Sequence, residues 1–493
     1  MQLAELLNDW PCTVKGSVRC DVTRIEDYAS DVVAGDVYVA RKGHVSNGLN
    51  FIPQAISNGA VAIVVDDEHY FNTAKLTVPL IWVPNALSFL AYSCAKIYHF
   101  PAEALTIVAV TGTNGKTTVT HFIGQLLQRF KQKVMVIGTN GVFVNGVKCF
   151  EQYQSLTTLQ SKQLQALFHE AVNQGIGYVV LEASSIGLQK HRLDHCDLDV
   201  GVFLNVTEDH LEDHGNFENY KLAKQILATL SKQIVVNSDD AICRAIGFSK
   251  KGRRSFFGKG QHVDYFYQVL IEGTSHTTCL VQYKEQKYVM HIPFVGDYQC
   301  ANVLAAISTL TQLGFPLEQL CHYSEGLFLP EGRYERIESE RGFDIIIDYA
   351  HTPDAMKQLL QTVKKKTKNR VIVVFSCGGN RDQAKRPKMG MIASIYANFV
   401  VLTTDNARNE NPQTINAHIR QGFSSTQVFT EILDRKEAIV HAIKEATEGD
   451  TVVILGKGHE KTQQIGSVQS EFSDHACVIE YLNYMKRPQI NDN

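Results

Sequence analysis

The stretch Ala109-Val110-Thr111-Gly112-Thr113-Asn114-Gly115-Lys116-Thr117-Thr118 constrains this chain more than any other. An apolar run over 105–110 has strand character, while residues 118–129 place Val119, Phe122, Ile123, Leu126 and Leu127 at helical spacing. Strand, glycine loop and helix, in that order, aim backbone N–H groups and the positive end of a helix at one anion. Lys116 is then placed to reach the outer phosphates of a nucleoside triphosphate and Thr117 to ligate Mg2+, with Gly112, Thr113, Asn114, Gly115 and Thr118 forming the cradle. Val110 stands where a full phosphate-loop pattern has glycine, so the match is to a shorter Gly-x-x-Gly-Lys-Thr form. The plainer alternative is a glycine turn that merely starts a helix.

A chain of 493 residues is too long for one core. Strand-like runs alternate with helical stretches almost throughout, which predicts layered α/β units with mainly parallel sheets. The first unit, 1–100, holds strand signals at 35–40 and 60–65 around a helix at 50–58, and Pro101 closes it. The second, 101–330, carries the phosphate loop and strands at 134–137, 178–182 and 200–205; the third, 331–493, carries strands at 344–348, 371–375, 399–403 and 451–455. A formal charge of −3 leaves no electrostatic footprint for nucleic acid, and no Lys/Arg block suggests a membrane surface. Residues 1–9 carry Glu5 and Asp9 and do not read as a secretory leader, and no apolar run is long enough to span a bilayer. Eleven cysteines without a C-x-x-C pair fit reduced, buried thiols in a cytoplasmic protein.

Two further clusters belong with the phosphates. Glu182 closes the apolar run 177–181, so its carboxylate emerges at the carboxyl edge of a strand, where open parallel sheets bind ligands. There it either holds Mg2+ or pairs with a nearby lysine as a structural group. Residues 206–215, Val-Thr-Glu-Asp-His-Leu-Glu-Asp-His-Gly, follow another strand, and His210 or an adjacent acid is a metal-ligand candidate.

Taken with Glu182-Ala183-Ser184-Ser185, Asn205 through Asp209-His210, Asn302, Gly332-Arg333, Asp348-Tyr349-Ala350-His351-Thr352-Pro353-Asp354 and Gly456-Lys457-Gly458-His459-Glu460, the phosphate loop resembles the Mur ligases over essentially the whole chain. The resemblance implies a three-domain architecture: a UDP-sugar-binding N-terminal domain, a central P-loop parallel-sheet ATPase domain and a Rossmann-like C-terminal domain for the amino acid. The likeness is strongest to members that add the third residue of the peptidoglycan stem, joining a diamino acid to UDP-N-acetylmuramoyl-L-alanyl-D-glutamate with ATP and Mg2+. It implies that Lys116 and Thr117 serve the ATP phosphates and a first Mg2+, that Glu182 and His210 serve a second, and that Lys224 is carbamylated to complete it. A lysine ammonium about 4 Å from a divalent cation is repelled by roughly 8 kcal/mol at an effective dielectric of about 20, whereas a carbamate is an anionic oxygen ligand. Without the resemblance Lys224 reads as an exposed helical lysine.

By the same resemblance Asp348 contacts the ATP ribose, Asn302 and His351 lie near the adenine, and Arg333 lies on the interdomain side of the nucleotide, although Asp348 at a strand end also reads as a simple cap. Thr157, Thr158, Ser184 and Arg192 contact the UDP-sugar-peptide. Arg386, Asp405, Asn406, Arg408, Gly456 and Glu460 surround the amino acid. Asp405-Asn406-Ala407-Arg408 is similar to the Asp-Asn-Pro-Arg signature for meso-diaminopimelate, whose distal carboxylate an arginine fork holds by paired bonds of roughly 1.5 to 3 kcal/mol. A soluble monomer acting on small molecules is expected.

The sequence departs from the family in several places. Tyr28-Ala29-Ser30 stands where Asp-Ser-Arg is usual, Leu156 and Leu159 flank the threonines, Ile186 replaces a histidine, Gln299 an asparagine and Ala407 a proline. The ATP machinery is thus better kept than the nucleotide-sugar pocket. A divergent or second-copy ligase for another amino acid or acceptor, a folylpolyglutamate-type ligase and a non-catalytic nucleotide-binding regulator are the alternative readings.

Overall fold

A computed structural model describes residues 1–43, 46–153, 156–209 and 211–486. His210 lies outside the described residues.

Three α/β layers follow one another along the chain. The first is a five-stranded sheet with spatial order Thr13–Lys15, Leu80–Trp82, Ala62–Val65, Val37–Ala40, Ile25–Glu26. All its neighbours run parallel except Thr13–Lys15. The central strands Val37–Ala40 and Ala62–Val65 are buried at every position, as expected of a sheet covered on both faces. The expected helix at 50–58 splits into a 3-10 turn, Gly48–Phe51, and the α-helix Ile52–Ser57 with Pro53 in its first turn.

The second layer is an eleven-stranded sheet. Its middle is parallel and sets Thr106–Thr111 between Tyr178–Glu182 and Val200–Phe203. Register pairs Glu182 with Val110 and Phe203 with Thr111, so the carboxyl ends of three strands open at one edge. Both flanks turn antiparallel, through Gly141–Val144 and Val147–Cys149 on one side and the long hairpins of Tyr265–Glu272, Thr277–Tyr283 and Gln286–Ile292 on the other. The sheet is therefore mainly parallel, as the sequence suggested, with antiparallel additions at both flanks. The helices Lys116–Arg129 and Asp297–Gln312 pack together on one face, burying Phe122, Leu126, Val303 and Ile307 in a common core.

The third layer is six-stranded, in the order Glu335–Glu338, Asp344–Asp348, Thr451–Leu455, Val371–Phe375, Phe399–Leu402, Phe429–Glu431, and parallel apart from the first strand. Arg435, fully buried below this sheet, is held bidentately by Asp474 at 2.7 and 2.8 Å, so an otherwise prohibitive charge is paired and hydrogen-bonded. All eleven cysteines are free thiols, and eight are buried. Among the described residues no helix is long and apolar enough to cross a membrane.

Candidate functional site

The carboxyl edges of the second and third layers face each other across a cavity of roughly 310 Å3. Its floor is the predicted phosphate loop. Strand Thr106–Thr111 ends at Gly112, the chain turns through Gly115 at φ +89°, and helix Lys116–Arg129 begins. A Cβ at Gly115 would lie 2.9 Å from Asn302 Oδ1 and 3.1 Å from Leu204 Cδ1, so neither the backbone angle nor the space suits a side chain. Asn205 pins the loop from below: its Oδ1 accepts from the Asn114 N–H at 2.8 Å and its Nδ2 donates to the Asn114 carbonyl at 3.1 Å. The Lys116 ammonium donates to the carbonyls of Gly112 and Thr113 at 2.8 and 3.1 Å. Burial pulls the Lys116 pKa down, opposed by the fields of Glu182 and Asp209.

Glu182 is buried beside the start of the helix. One carboxylate oxygen accepts from the Thr117 hydroxyl at 2.9 Å and from the Thr139 N–H at 2.9 Å, and the other from the Thr139 hydroxyl at 3.0 Å. It pairs with no lysine among the described residues, so the structural reading of a lysine partner fails. Arg333, from the third layer, donates to the same Thr117 hydroxyl at 3.2 Å, lies 4.5 Å from the centre of the Tyr349 ring, and keeps a buried Nε without a partner among the described residues. Thr139 was not singled out in the sequence; its signal was its place one residue beyond strand Val134–Gly138 at the same open edge.

Lys224 is 1% exposed, which overturns the reading of an exposed helical lysine. It sits in helix Phe217–Leu230 with its ammonium 4.7 Å from the Tyr220 ring centre, and the Tyr220 hydroxyl meets the Thr113 hydroxyl at 2.9 Å. Burial, then the charge of Lys116, pushes its pKa well down. Lys224 does not line the cavity itself.

Thr157 lines the cavity and its hydroxyl meets the Thr139 hydroxyl at 3.1 Å. Thr158, Ser184 and Arg192 form a second layer behind it. The Thr158 hydroxyl donates to the Glu182 carbonyl at 2.8 Å and meets the Ser184 hydroxyl at 3.0 Å, while Arg192 donates to the Thr158 carbonyl at 2.6 Å. Beside them the half-exposed Tyr28 ring carries Arg41 at 5.3 Å and Lys162 at 5.5 Å, each cation anchored by Asp27 or Glu26.

The opposite wall comes from the third layer. Asp348 ends strand Asp344–Asp348 and accepts from the Tyr334 and Ala350 N–H groups, both at 2.7 Å; burial raises its pKa against Arg333 and those two amides. The cap reading and the cavity-wall reading therefore both hold. Asn302, which bonds Gln299 at 3.1 Å, and His351, held by the Tyr349 carbonyl at 2.9 Å, stand nearby. Asn406 donates to Glu460 at 2.9 Å, and Lys457 joins the same oxygen at 2.8 Å. Gly456, at φ +108°, brings its backbone against the Asp405 carboxylate, where any Cβ would collide. Arg408 adopts a left-handed φ of +49° and donates to the Gly379 carbonyl at 2.8 Å; burial and the Arg381 charge hold its pKa below the ordinary value.

Arg386 is a correction. It is fully buried, faces away from the cavity and binds Glu410 at 2.9 Å and His418 at 3.1 Å. The arginine that reaches the wall from this segment is Arg381, and with Arg408 it flanks Gly378: a Cβ there would lie 3.1 Å from Arg408 Nη1 and 3.6 Å from Arg381 Cγ. Sequence reasoning passed over Arg381, although Gly378-Gly379-Asn380-Arg381 follows a parallel strand at its carboxyl end, the position that marks a ligand loop. Asp209, Glu212 and Lys385 also line the cavity. Asp209 falls among the acids flagged beside His210; the other two were missed.

A phosphate loop, a carboxylate bonded to its threonine, and a facing wall of two arginines and two carboxylates define a nucleotide-dependent enzyme with a polar second substrate. Comparison with known proteins narrows the class. The Mur ligase middle domain matches residues 110–310, the Mur ligase glutamate ligase domain 332–458, and the Mur ligase family catalytic domain 25–98. A curated relative from Caldanaerobacter subterraneus subsp. tengcongensis, UDP-N-acetylmuramoyl-L-alanyl-D-glutamate--2,6-diaminopimelate ligase, is 35% identical over 488 residues, covering 98% of this chain and 99% of its own. A Clostridium acetobutylicum protein of the same name, numbered 2, is 35% identical over 486 residues, covering 98% of this chain and all of its own. A solved structure carrying that ligase name superposes with TM-score 0.68 at 30% identity and covers 99% of both chains. The chain belongs to the Mur ligase family.

Proposed function

We propose that this protein joins meso-diaminopimelate to UDP-N-acetylmuramoyl-L-alanyl-D-glutamate with ATP, in the cytoplasmic synthesis of peptidoglycan precursor. The observation that carries the reading is a single cavity that joins a phosphate loop to a wall bearing Arg381, Arg408, Asp405 and Glu460. That wall suits a zwitterionic amino-acid tail: arginine forks match a carboxylate, and Asp405 and Glu460 offer anions to an ammonium. The relatives and the solved structure named for this activity support it. We assign residues 1–100 to the UDP-sugar, 101–330 to ATP and 331–493 to the amino acid.

An amide does not form directly from a free carboxylate, whose leaving group would be oxide. The γ-phosphoryl of ATP passes to the acceptor's carboxylate, giving an acyl phosphate and ADP. The amine of the amino acid then attacks the acyl carbon, phosphate departs and the nitrogen loses a proton. Lys116 and the loop amides hold the phosphates and Arg333 bridges from the other wall, fixed donors that stabilise charge spread over the transferring group. The hydroxyl of Thr117 and the carboxylate of Glu182 are hard oxygen donors that would hold Mg2+, and Lys224 as its carbamate would supply a further oxygen donor. A divalent ion bound there would supply Lewis-acid neutralisation of the phosphoryl oxygens. Closure of the two walls excludes water from the acyl phosphate.

Purified protein with ATP, the UDP-muramoyl-dipeptide and either diaminopimelate or L-lysine provides the test. Phosphate release is expected with diaminopimelate and at least about tenfold less kcat/KM with lysine, matching one charge-assisted pair. Preference for lysine would refute the role of the arginine pair, and no turnover with either would refute the reaction itself.

A further inference from the structure

We propose that Glu212 is a specificity-determining residue for the incoming amino acid: its carboxylate holds the place on Arg381 that the amino acid's distal carboxylate must take. The inference rests on the role given above to the arginine pair. Glu212 belongs to the short turn of helix Leu211–His214 in the second layer, Arg381 to the third, and the two meet on the cavity wall with Nη1 and Oε1 3.7 Å apart. The contact is loose. It lies beyond hydrogen-bond range, and the side chains are 41% and 26% exposed.

The two arginines are not equivalent. Arg408 already gives its Nη1 to the carbonyls of Gly379 and Asn406, at 2.8 and 3.5 Å. Arg381 makes no side-chain hydrogen bond among the described residues, so its fork is open to an anion, and Glu212 is the carboxylate paired with it. Glu212 is also held in place. Its loop neighbours are tied to the third layer by Glu208 with Lys388 at 2.5 Å and Asp209 with Lys385 at 3.6 Å. A distal carboxylate presenting two oxygens forms two short charge-assisted bonds and displaces one long contact. L-Lysine brings no carboxylate to this end and leaves Glu212 where it is.

The sign of the effect on KM is the test, because a residue with only a structural role does not improve binding when it is changed. In Glu212→Gln the competing charge is gone while the shape is kept, so the KM for diaminopimelate is expected to fall about two- to fivefold, the scale of an exposed ion pair. The KM for lysine stays put, and in an Arg381→Gln background the Glu212→Gln step has no effect. Calorimetric titration of the same variants with diaminopimelate reads the competition without turnover, should Glu212→Gln be catalytically impaired. A diaminopimelate affinity that is unchanged or weaker in Glu212→Gln overturns the proposal; a weaker one would place Glu212 on the ammonium instead. If the unsubstituted enzyme favours diaminopimelate and Glu212→Gln leaves its affinity untouched, this inference alone fails; if the unsubstituted enzyme shows no such preference, the reading beneath it fails as well.

Discussion

Lys224 is a buried amine with no carboxylate partner among the described residues, packed on the Tyr220 ring under the phosphate loop. Such a group is costly as an ammonium, and burial together with the Lys116 charge pushes its pKa down, which favours the neutral, nucleophilic amine. A neutral amine adds CO2 and releases a proton to become a carbamate, which converts an uncompensated buried group into an oxygen donor. Lys224→Ala is therefore expected to lose about a hundredfold or more in kcat, given the several kcal/mol a bound metal contributes to charge stabilisation. Acetate or formate added to the variant restores part of the activity, and isotopically labelled bicarbonate places a carbamate signal on the native protein alone. Full activity of the variant without added carboxylate would end the proposal. The sequence alone made Lys224 an exposed helical residue, because a lysine code carries no burial; what buries it is the loop and Tyr220 packed over it. Arg386 failed in the opposite way. It and Arg381 lie five residues apart in one basic segment, and only the fold decides that Arg386 turns inward to Glu410 while Arg381 faces the cavity.

At the scale of elements, the strand–loop–helix Thr106–Arg129 was legible because two periodicities meet at Gly112 and Gly115, the second of which takes a left-handed angle that few other residues adopt. The parallel strands with unbroken apolar runs, such as Val371–Phe375 and Thr451–Leu455, were equally plain. The antiparallel hairpins after residue 258 were not. Their strands alternate buried and exposed positions, as in Gln286–Ile292, and their pairing is set by turns and long-range register instead of by local composition. Gly115→Ala tests the loop as an element. The left-handed angle costs about 1–3 kcal/mol for a non-glycine residue, and the new methyl must also move Asn302 or Leu204. Because Asn302 belongs to the neighbouring helix Asp297–Gln312 on the cavity wall, the loop and that helix shift together. ATP affinity measured by calorimetry is expected to fall at least tenfold, with binding of diaminopimelate less affected; an unaltered ATP affinity would mean that the loop does not carry the phosphates.

Across the whole molecule, the second and third layers meet around the cavity through a set of polar contacts among the described residues. Thr352 donates to Asn114 Oδ1 at 3.1 Å, Asn114 Nδ2 reaches Asp354 at 3.4 Å, Arg333 reaches Thr117, and the ion pairs of Glu208 and Asp209 with Lys388 and Lys385 close the far side. A seam of this kind resembles a transient interface, for which relative motion of the two layers is the default expectation. The Lys388–Glu208 pair is a contact of the seam that does not itself line the cavity, and both side chains are about half exposed, at 50% and 53%. An exposed pair contributes about 0.2–1 kcal/mol, so Lys388→Glu, which sets two carboxylates against each other, should cost about two- to tenfold in kcat/KM, more at low than at high ionic strength. Small-angle scattering of the variant is expected to give a larger radius of gyration in low salt. The double exchange Lys388→Glu with Glu208→Lys restores the attraction with the charges reversed, and recovery of both compactness and rate in that protein separates closure from any local damage to the loop. A double exchange no better than the single variant would show that the seam is held by its hydrogen bonds alone.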